Sequence, residues 1–413
     1  MIKKKKKYHI DKAKPALFIG SFMFILIGIY YVSNGLDLNL LHGEINHLIL
    51  EISGIFFFLF VAMTYIETLI HMNLFDKLKY KLVSKGFTYK QLFWATGFLA
   101  FFISPIADNL TTALILSTVL ITIEKTRKDF LVPGAVNIVV AANAGGAWSP
   151  FGDITTLMAW TEGKGTFTDF LFLFPASIVG YLVTAYLLSL FVPKDSTEFD
   201  ASTEKEPVLA PGTKIVVALG LISIVSAILS HQVLHLPAMW GMMFGLSLLK
   251  LFTYYSKRKY GIENHHSIFD FIAKIEYNTL LFFFGILAAV GALYFIGWLA
   301  LESQVYHPNV LGPTISNIGV GFLSAIVDNI PVMSAILKAN PVMGLDQWML
   351  ITLTAGIGGS MIAFGSAAGV GVMGKLPGIY TFGSHFKYAW TIVIGYFVSI
   401  GVWYLQYEVL KFY

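Results

Sequence analysis

The chain has 413 residues, of which 56% are hydrophobic and 13% charged, with a net charge of +4. Soluble domains carry about 25% charged residues, so an ordinary soluble domain is excluded. The small positive balance comes largely from the run Lys3 to Lys7, which argues for a topogenic signal and against nucleic-acid binding. The absence of cysteine excludes disulfides and thiolate metal sites.

Apolar segments fall near 16–33, 47–73, 88–122, 133–160, 168–192, 215–233, 238–255, 277–301, 312–338, 347–373 and 388–409. The alternating ten-residue pattern of a membrane β-barrel is missing. The first segment is long for a signal-peptide core and no small-x-small site follows it, so it reads as a retained span. The polar stretch PKDSTEFDASTEKEPVLAPGTK reads as a linker between two halves.

Lys and Arg orient the spans. The basic N-terminal arm is expected in the cytoplasm, loop 34–46 outside, and DKLKYKLVSK inside. Segment 88–122 follows, and EKTRKD after it is basic again. A segment that begins and ends on one side is not a single crossing. About 16 residues lie on each side of SPIADN, about 24 Å of helix at 1.5 Å per residue. The expectation is a re-entrant hairpin, with Asp108 and Asn109 at its tip and Pro105 favouring the break. Carried onward, the same rule makes 312–338 a second hairpin, entering from outside. It puts the C-terminus outside and leaves only Lys164, Lys338 and Lys411 of the 28 Lys and Arg on that side.

The halves repeat. FFFLFVAM (56–63) resembles FFFGILAA (282–289), SPIADN (104–109) resembles SAIVDN (324–329), and AGGAWSPFGDITT (144–156) resembles IGGSMIAFGSAAG (357–369). The expected architecture is therefore an all-α polytopic membrane protein with about nine full spans and two re-entrant hairpins. It is an inverted-topology repeat with two broken helices, 133–160 and 347–373. The expected division is an arm and first span (1–46), a first repeat (47–193), a linker with two connecting spans (194–276) and a second repeat (277–413).

Ionisable groups inside a bilayer are costly and mark function. The mid-span acids are Glu67, Asp108, Asp153 and Asp328. Asp108 and Asp328 occupy equivalent tips, and Asp153 ends the broken stretch GGAWSPFGD. Unwound backbone there frees carbonyls. With Thr111, Thr112, Ser149, Thr155, Thr156 and the amides of Asn109, Asn143 and Asn329, they make an all-oxygen donor set suited to a hard cation. Gly145 and Gly146 loosen the first break. Gly358, Gly359, Ser360 and Ser366 are the counterparts in the second half, with Ser366 in place of Asp153. Aspartates at both tips would repel an anion and favour Na⁺, Li⁺ or H⁺, so Na⁺ is expected at Asp108, Asp153 and Asp328. Glu67 is read as a proton carrier or a structural partner. His71, His231, His235 and His385 are read as interfacial or packed. No resident cofactor is expected, only transported Na⁺, Li⁺ and H⁺.

The stretches VAMTYIE, ISPIADNLTTAL, NAGGAWSPFGDITT, LLFFFGILAAVGAL, FLSAIVDNIPV and FGSAAGVGVMG resemble the NhaD-type sodium/proton antiporters of the ion transporter superfamily. The resemblance implies Na⁺(Li⁺)/H⁺ exchange across the bacterial inner membrane. The wider superfamily implies a scaffold with a moving transport domain, two hairpins facing two broken helices, and a homodimer. A Na⁺-coupled symporter of an organic anion such as a dicarboxylate is the alternative. An intramembrane aspartyl enzyme using Asp108 and Asp328 is disfavoured, because it leaves the inverted repeat unexplained and the sequence lacks a Tyr-Asp and Gly-x-Gly-Asp pair. The chain is therefore not read as an enzyme.

Overall fold

The structure is a computed structural model that describes residues 12–84, 86–196, 206–260, 268–299, 304–307 and 309–411. The basic run Lys3 to Lys7 and residues 197–205 of the linker lie outside the described residues. What is described is helical throughout, apart from one isolated bridge between Thr88 and Ser196.

Among the described residues, seven helices are long and apolar enough to cross a membrane: Ala13–Ser33, Leu38–His71, Lys128–Gly146, Phe167–Ser189, Thr213–Gln232, Tyr277–Phe295 and Ala389–Val409. Two further expected spans fall short of that criterion for visible reasons. Met239–Tyr260 carries Lys250 in mid-helix besides a basic cluster at its end, and segment 347–373 is divided into Leu345–Gly358 and Ala367–Lys375. Leu38–His71, with 34 residues, is about 51 Å long. That exceeds a hydrocarbon core of ~30 Å, so it tilts or projects.

Segment 88–122 forms two helices, Tyr89–Ala107 and Asn109–Ile123, with only Asp108 between them. The chain reverses there, because the two far ends meet: the Tyr89 hydroxyl donates to Glu124 Oε2 at 2.8 Å. Arg127 closes the base, its guanidinium 4.8 Å from the Tyr89 ring centre and bonded to Asp129 and Asp195. Burial pushes the Glu124 carboxyl up, but donors from Thr126, Tyr89 and the Arg127 backbone outweigh it and hold the group down at about 2. A folded value below the ordinary one means that its contribution is lost only as pH falls towards that value. The base of the hairpin therefore stays locked throughout the physiological range.

The second hairpin, Gly312–Val327 and Asn329–Ala339, turns at Asp328 in the same way. Its first arm is held by Gln347, whose side chain donates to Thr314 Oγ1 at 3.0 Å. Asp108 (φ 56°, ψ 161°) and Asp328 (φ 105°, ψ 144°) share a backbone region that glycine ordinarily fills. Each costs about 1–3 kcal/mol, and such residues cluster at functional sites.

Equivalent bonds dock each hairpin on its own broken helix. Ser104 Oγ donates to Ala142 O at 2.6 Å, and Ser324 Oγ donates to Ala355 O at 2.8 Å. Glycine allows the approach: a Cβ on Gly145 would lie 2.3 Å from Phe101 O, and one on Gly358 would lie 2.3 Å from Gly321 O. The second arm of each hairpin also packs on the other half, Leu110 and Leu114 against Gly371, and Asn329–Ala339 against Ile154–Thr161. Helices Phe174–Ser189 and Ala389–Tyr404 cross between the halves, with Thr184 Oγ1 donating to Thr391 O.

The charges segregate. Lys77, Arg127, Asp195, Glu206 and Lys274 gather at one face. Lys164, which donates to Asn340, and Lys338, which pairs with Glu51, gather at the other.

Candidate functional site

The site is assembled where both tips meet both breaks. In the first half, Lys128–Gly146 ends, six residues turn, and Asp153 N-caps Ile154–Thr161. In the second, Leu345–Gly358 ends and Ser366 N-caps Ala367–Lys375. The two caps have nearly the same backbone, φ −144°, ψ 148° and φ −145°, ψ 155°. Asp153 accepts from Thr155 N at 3.1 Å, and Ser366 accepts from Gly369 N at 3.3 Å. The positions are equivalent and only the first is charged.

Asp153 is buried and central. Asn109 at the first tip donates through Nδ2 to Asp153 Oδ2 at 2.7 Å. Asn329 at the second tip donates to Oδ2 at 3.0 Å and Oδ1 at 3.3 Å. One carboxylate thus joins both hairpins. Asn143 links the two breaks: its Oδ1 accepts from Asn109 at 3.0 Å, and its Nδ2 donates to Ser360 Oγ and Ser366 Oγ, both at 2.8 Å. The cage is therefore Asn109, Asn143, Asp153, Asn329, Ser360 and Ser366.

Asp108 spends its carboxylate on the Thr111 backbone N–H and hydroxyl, each 2.8 Å away. With Asp153, Pro150 and Phe151 it lines a cavity of about 20 Å³, enough for one water molecule or an unhydrated ion of similar size. The Asp328 and Asp108 charges both act on Asp153. The three acids are nevertheless not one ligand triad: among the described residues, no group of three His, Asp or Glu could hold a metal by those side chains alone. A cation here would draw on amide, hydroxyl and carbonyl oxygens as well.

The remaining expected residues sit around this centre. Ser149 donates to Pro105 O at 2.9 Å, and Thr156 to Asp153 O at 2.6 Å, so both hold the break. The Thr112 and Thr155 hydroxyls are buried without a hydrogen-bond partner among the described residues. Gly145 and Gly358 sit at the docking contacts, while Gly146 and Gly359 pack on Gly152 and Gly365 within their own breaks. No hydrogen bond joins Glu67 to the cage; the charges of Lys274 and Glu276 act on it instead.

Sequence reasoning missed two residues. Lys12 reaches Asp328 from before the first span, but in the sequence it is only one more residue of a basic N-terminal region. His385 is fully buried, with Nε2 2.8 Å from Ser360 O and Nδ1 2.6 Å from the Tyr380 hydroxyl. A carbonyl only accepts, so Nε2 carries the proton and the ring holds the second break. Packing was legible for His385, but this bond was not.

Two larger cavities flank the cage. One of about 420 Å³ is lined by Lys12, Asp328, Glu276, Leu110 and Gly371. The other, about 430 Å³, is lined by Glu51, Glu162, His231 and His235. Phe58 and Leu157 line both this second cavity and the small one at Asp153, and so stand between them.

Buried acids and amides where two hairpins meet two broken helices, inside a bundle of apolar helices, define a membrane transport protein. The citrate transporter (CitMHS) family model matches residues 1–358. The chain is 43% identical to the Na⁺/H⁺ antiporter NhaD of Alkalimonas amylolytica, over 96% of this chain and 86% of that protein. It is 42% identical to the Na⁺/H⁺ antiporter NhaD of Vibrio parahaemolyticus, over 93% and 97%. Sodium/proton antiporter 1 of Arabidopsis thaliana is 33% identical over 80% of this chain and 58% of that protein. The chain belongs to the NhaD antiporter family, within the wider citrate transporter family.

Proposed function

We propose that this protein exchanges Na⁺, and also Li⁺, for H⁺ by alternating access, with cation and proton competing at the Asp153 cage. The single observation that carries this reading is the Asp153 carboxylate, buried and bonded by an amide from each hairpin tip. Buried charge is tolerated only when it is paired. Of the three aspartates Asp328 alone is paired with an ammonium, Lys12, among the described residues, so ionising all three leaves charge that protons or metal cations must neutralise. Turning an Asn109 or Asn329 amide over replaces an N–H donor by an oxygen, so the same cage serves a protonated, hydrogen-bonded state and a cation-bound state. Either hairpin moving against its break would expose the cage to one face and then the other.

We further propose that the membrane is the bacterial inner membrane, with the Arg127 face cytoplasmic, the N-terminus inside and the C-terminus outside, and that the protein works as a homodimer. The citrate transporter family raises the alternative of an organic-anion symporter. The charge distribution argues against it: an anion would meet the Asp153 carboxylate in the cage and those of Asp108 and Asp328 at the two tips, with Lys12 at Asp328 as the opposing ammonium.

The test uses proteoliposomes with an acidic interior, a pH-sensitive dye and a clamped membrane potential. External Na⁺ or Li⁺ should alkalinise the lumen rapidly, and K⁺ should not. Na⁺-dependent uptake of labelled citrate or dicarboxylate, with no luminal alkalinisation by any cation, would refute the antiporter reading in favour of the symporter.

A further inference from the structure

The two tips repeat in sequence but not in how their aspartates are satisfied. Asp108 is followed by Asn109, Leu110 and Thr111, and Thr111 supplies both a backbone N–H and a hydroxyl to its carboxylate. Asp328 is followed by Asn329, Ile330 and Pro331. Proline has no N–H and no hydroxyl, so both capping donors are lost, and no side-chain cap forms at Asp328. Lys12 takes their place. Its ammonium lies 2.8 Å from Asp328 Oδ2 and 3.3 Å from the carbonyl oxygen of Phe364, in the unwound stretch of the second broken helix. Asp328 Oδ1 is buried without a hydrogen-bond partner among the described residues.

A carboxylate oxygen and a carbonyl freed by a helix break are the ligands that a hard cation prefers, and here they hold an ammonium. Lys12 is positioned by the helix that follows it. It precedes helix Ala13–Ser33, which docks on Tyr277–Phe295 through Gly20 and Gly285; a Cβ on Gly20 would lie 2.4 Å from Gly285 O. The Lys12 side chain is 42% exposed and that of Asp328 5% exposed, and both line the 420 Å³ cavity. Glu276 lines the same cavity and offers a second carboxylate to a displaced ammonium.

We propose that Lys12 is a tethered cation that competes with the transported ion for a subsite made by the Asp328 carboxylate and the Phe364 carbonyl. The inference rests on cation transport at the cage and deepens it. Lys12 keeps the second tip neutral when no ion is present, and Na⁺ entering through the cavity displaces it.

The chain has no cysteine and needs no mutation for the first test. Purified protein whose exchange activity has been measured is treated at fixed alkaline pH with a water-soluble acetylating reagent. Modification of Lys12 is followed by peptide mass in NaCl and in equimolar choline chloride, with exposed Lys14 as the internal reference. Held by Asp328, the Lys12 amine reacts slowly; Na⁺ should accelerate it several-fold and leave Lys14 unchanged. In Asp328→Asn, Lys12 should react fast in either salt. Lys12→Gln should lower the apparent KM for Na⁺ by about ten-fold if Lys12 holds Asp328 nine-tenths of the time, whereas Lys12→Arg should stay near the parent. A Lys12 rate insensitive to Na⁺ in protein that exchanges Na⁺ for H⁺, or an unchanged or higher KM in Lys12→Gln, would overturn the tether. Absence of exchange by the parent protein would instead overturn the functional reading beneath it.

Discussion

Asp153→Asn reconstituted in proteoliposomes is expected to lose Na⁺-driven alkalinisation by on the order of 10²-fold or more, the loss that follows when a few kcal/mol of buried charge interaction disappears. The variant should still fold. Asparagine is a good N-cap, and its amide oxygen can keep the bond from Thr155 N and accept from Asn109 or Asn329 in place of the carboxylate. The defect is therefore one of charge and not of shape, and raising Na⁺ should not rescue it. Retention of more than a tenth of the parent rate would mean that the transported ion is held elsewhere.

The second large effect concerns docking. Gly145→Ala puts a methyl group 2.3 Å from Phe101 O, a backbone atom of the first hairpin that cannot yield without moving the hairpin itself. Overpacking of this kind costs about 1–3 kcal/mol and sometimes more. Gly374 is an exposed helical glycine with open space around its Cβ position, so Gly374→Ala should be neutral or stabilise by about 0.4–1 kcal/mol. Thermal loss of the monodisperse species in detergent compares them. Gly145→Ala should fail at markedly lower temperature and exchange poorly, while Gly374→Ala should match or exceed the parent on both counts. Equal stability of the two variants would show that the hairpin is not seated on Gly145.

The tips and breaks were legible because they violate the lipid-facing pattern. An Asp-Asn pair inside an apolar run, and two glycines followed by a proline and a third glycine, make no sense as lipid-facing helix, and each has a counterpart in the other half, although the second break keeps the glycines without the proline. The inequality of the half-sites was legible too, since Ser366 aligns with Asp153. Other features need three dimensions. A glycine that admits a neighbouring helix and one that frees a carbonyl both lack Cβ, so Gly145 and Gly358 read as candidate ligand positions although the structure uses them for close approach. Asn143 has no charge to mark it, yet it spans both breaks. The number of continuous spans was hard to read because Ala367–Lys375 is too short to cross alone and Met239–Tyr260 carries Lys250 in mid-helix besides a basic cluster at its end. Lys12 was hidden because membrane proteins place lysines beside a first span for orientation alone.

On the proposed function a cation and a proton compete within one cage. The most direct measurement adds NaCl to purified protein in detergent, in weakly buffered solution near neutral pH, and reads released protons with a soluble indicator. Saturable proton release is expected with Na⁺ and Li⁺, none with K⁺, and none with any cation in Asp153→Asn. Saturable Na⁺ binding with no proton release, or release that survives in Asp153→Asn, would contradict it.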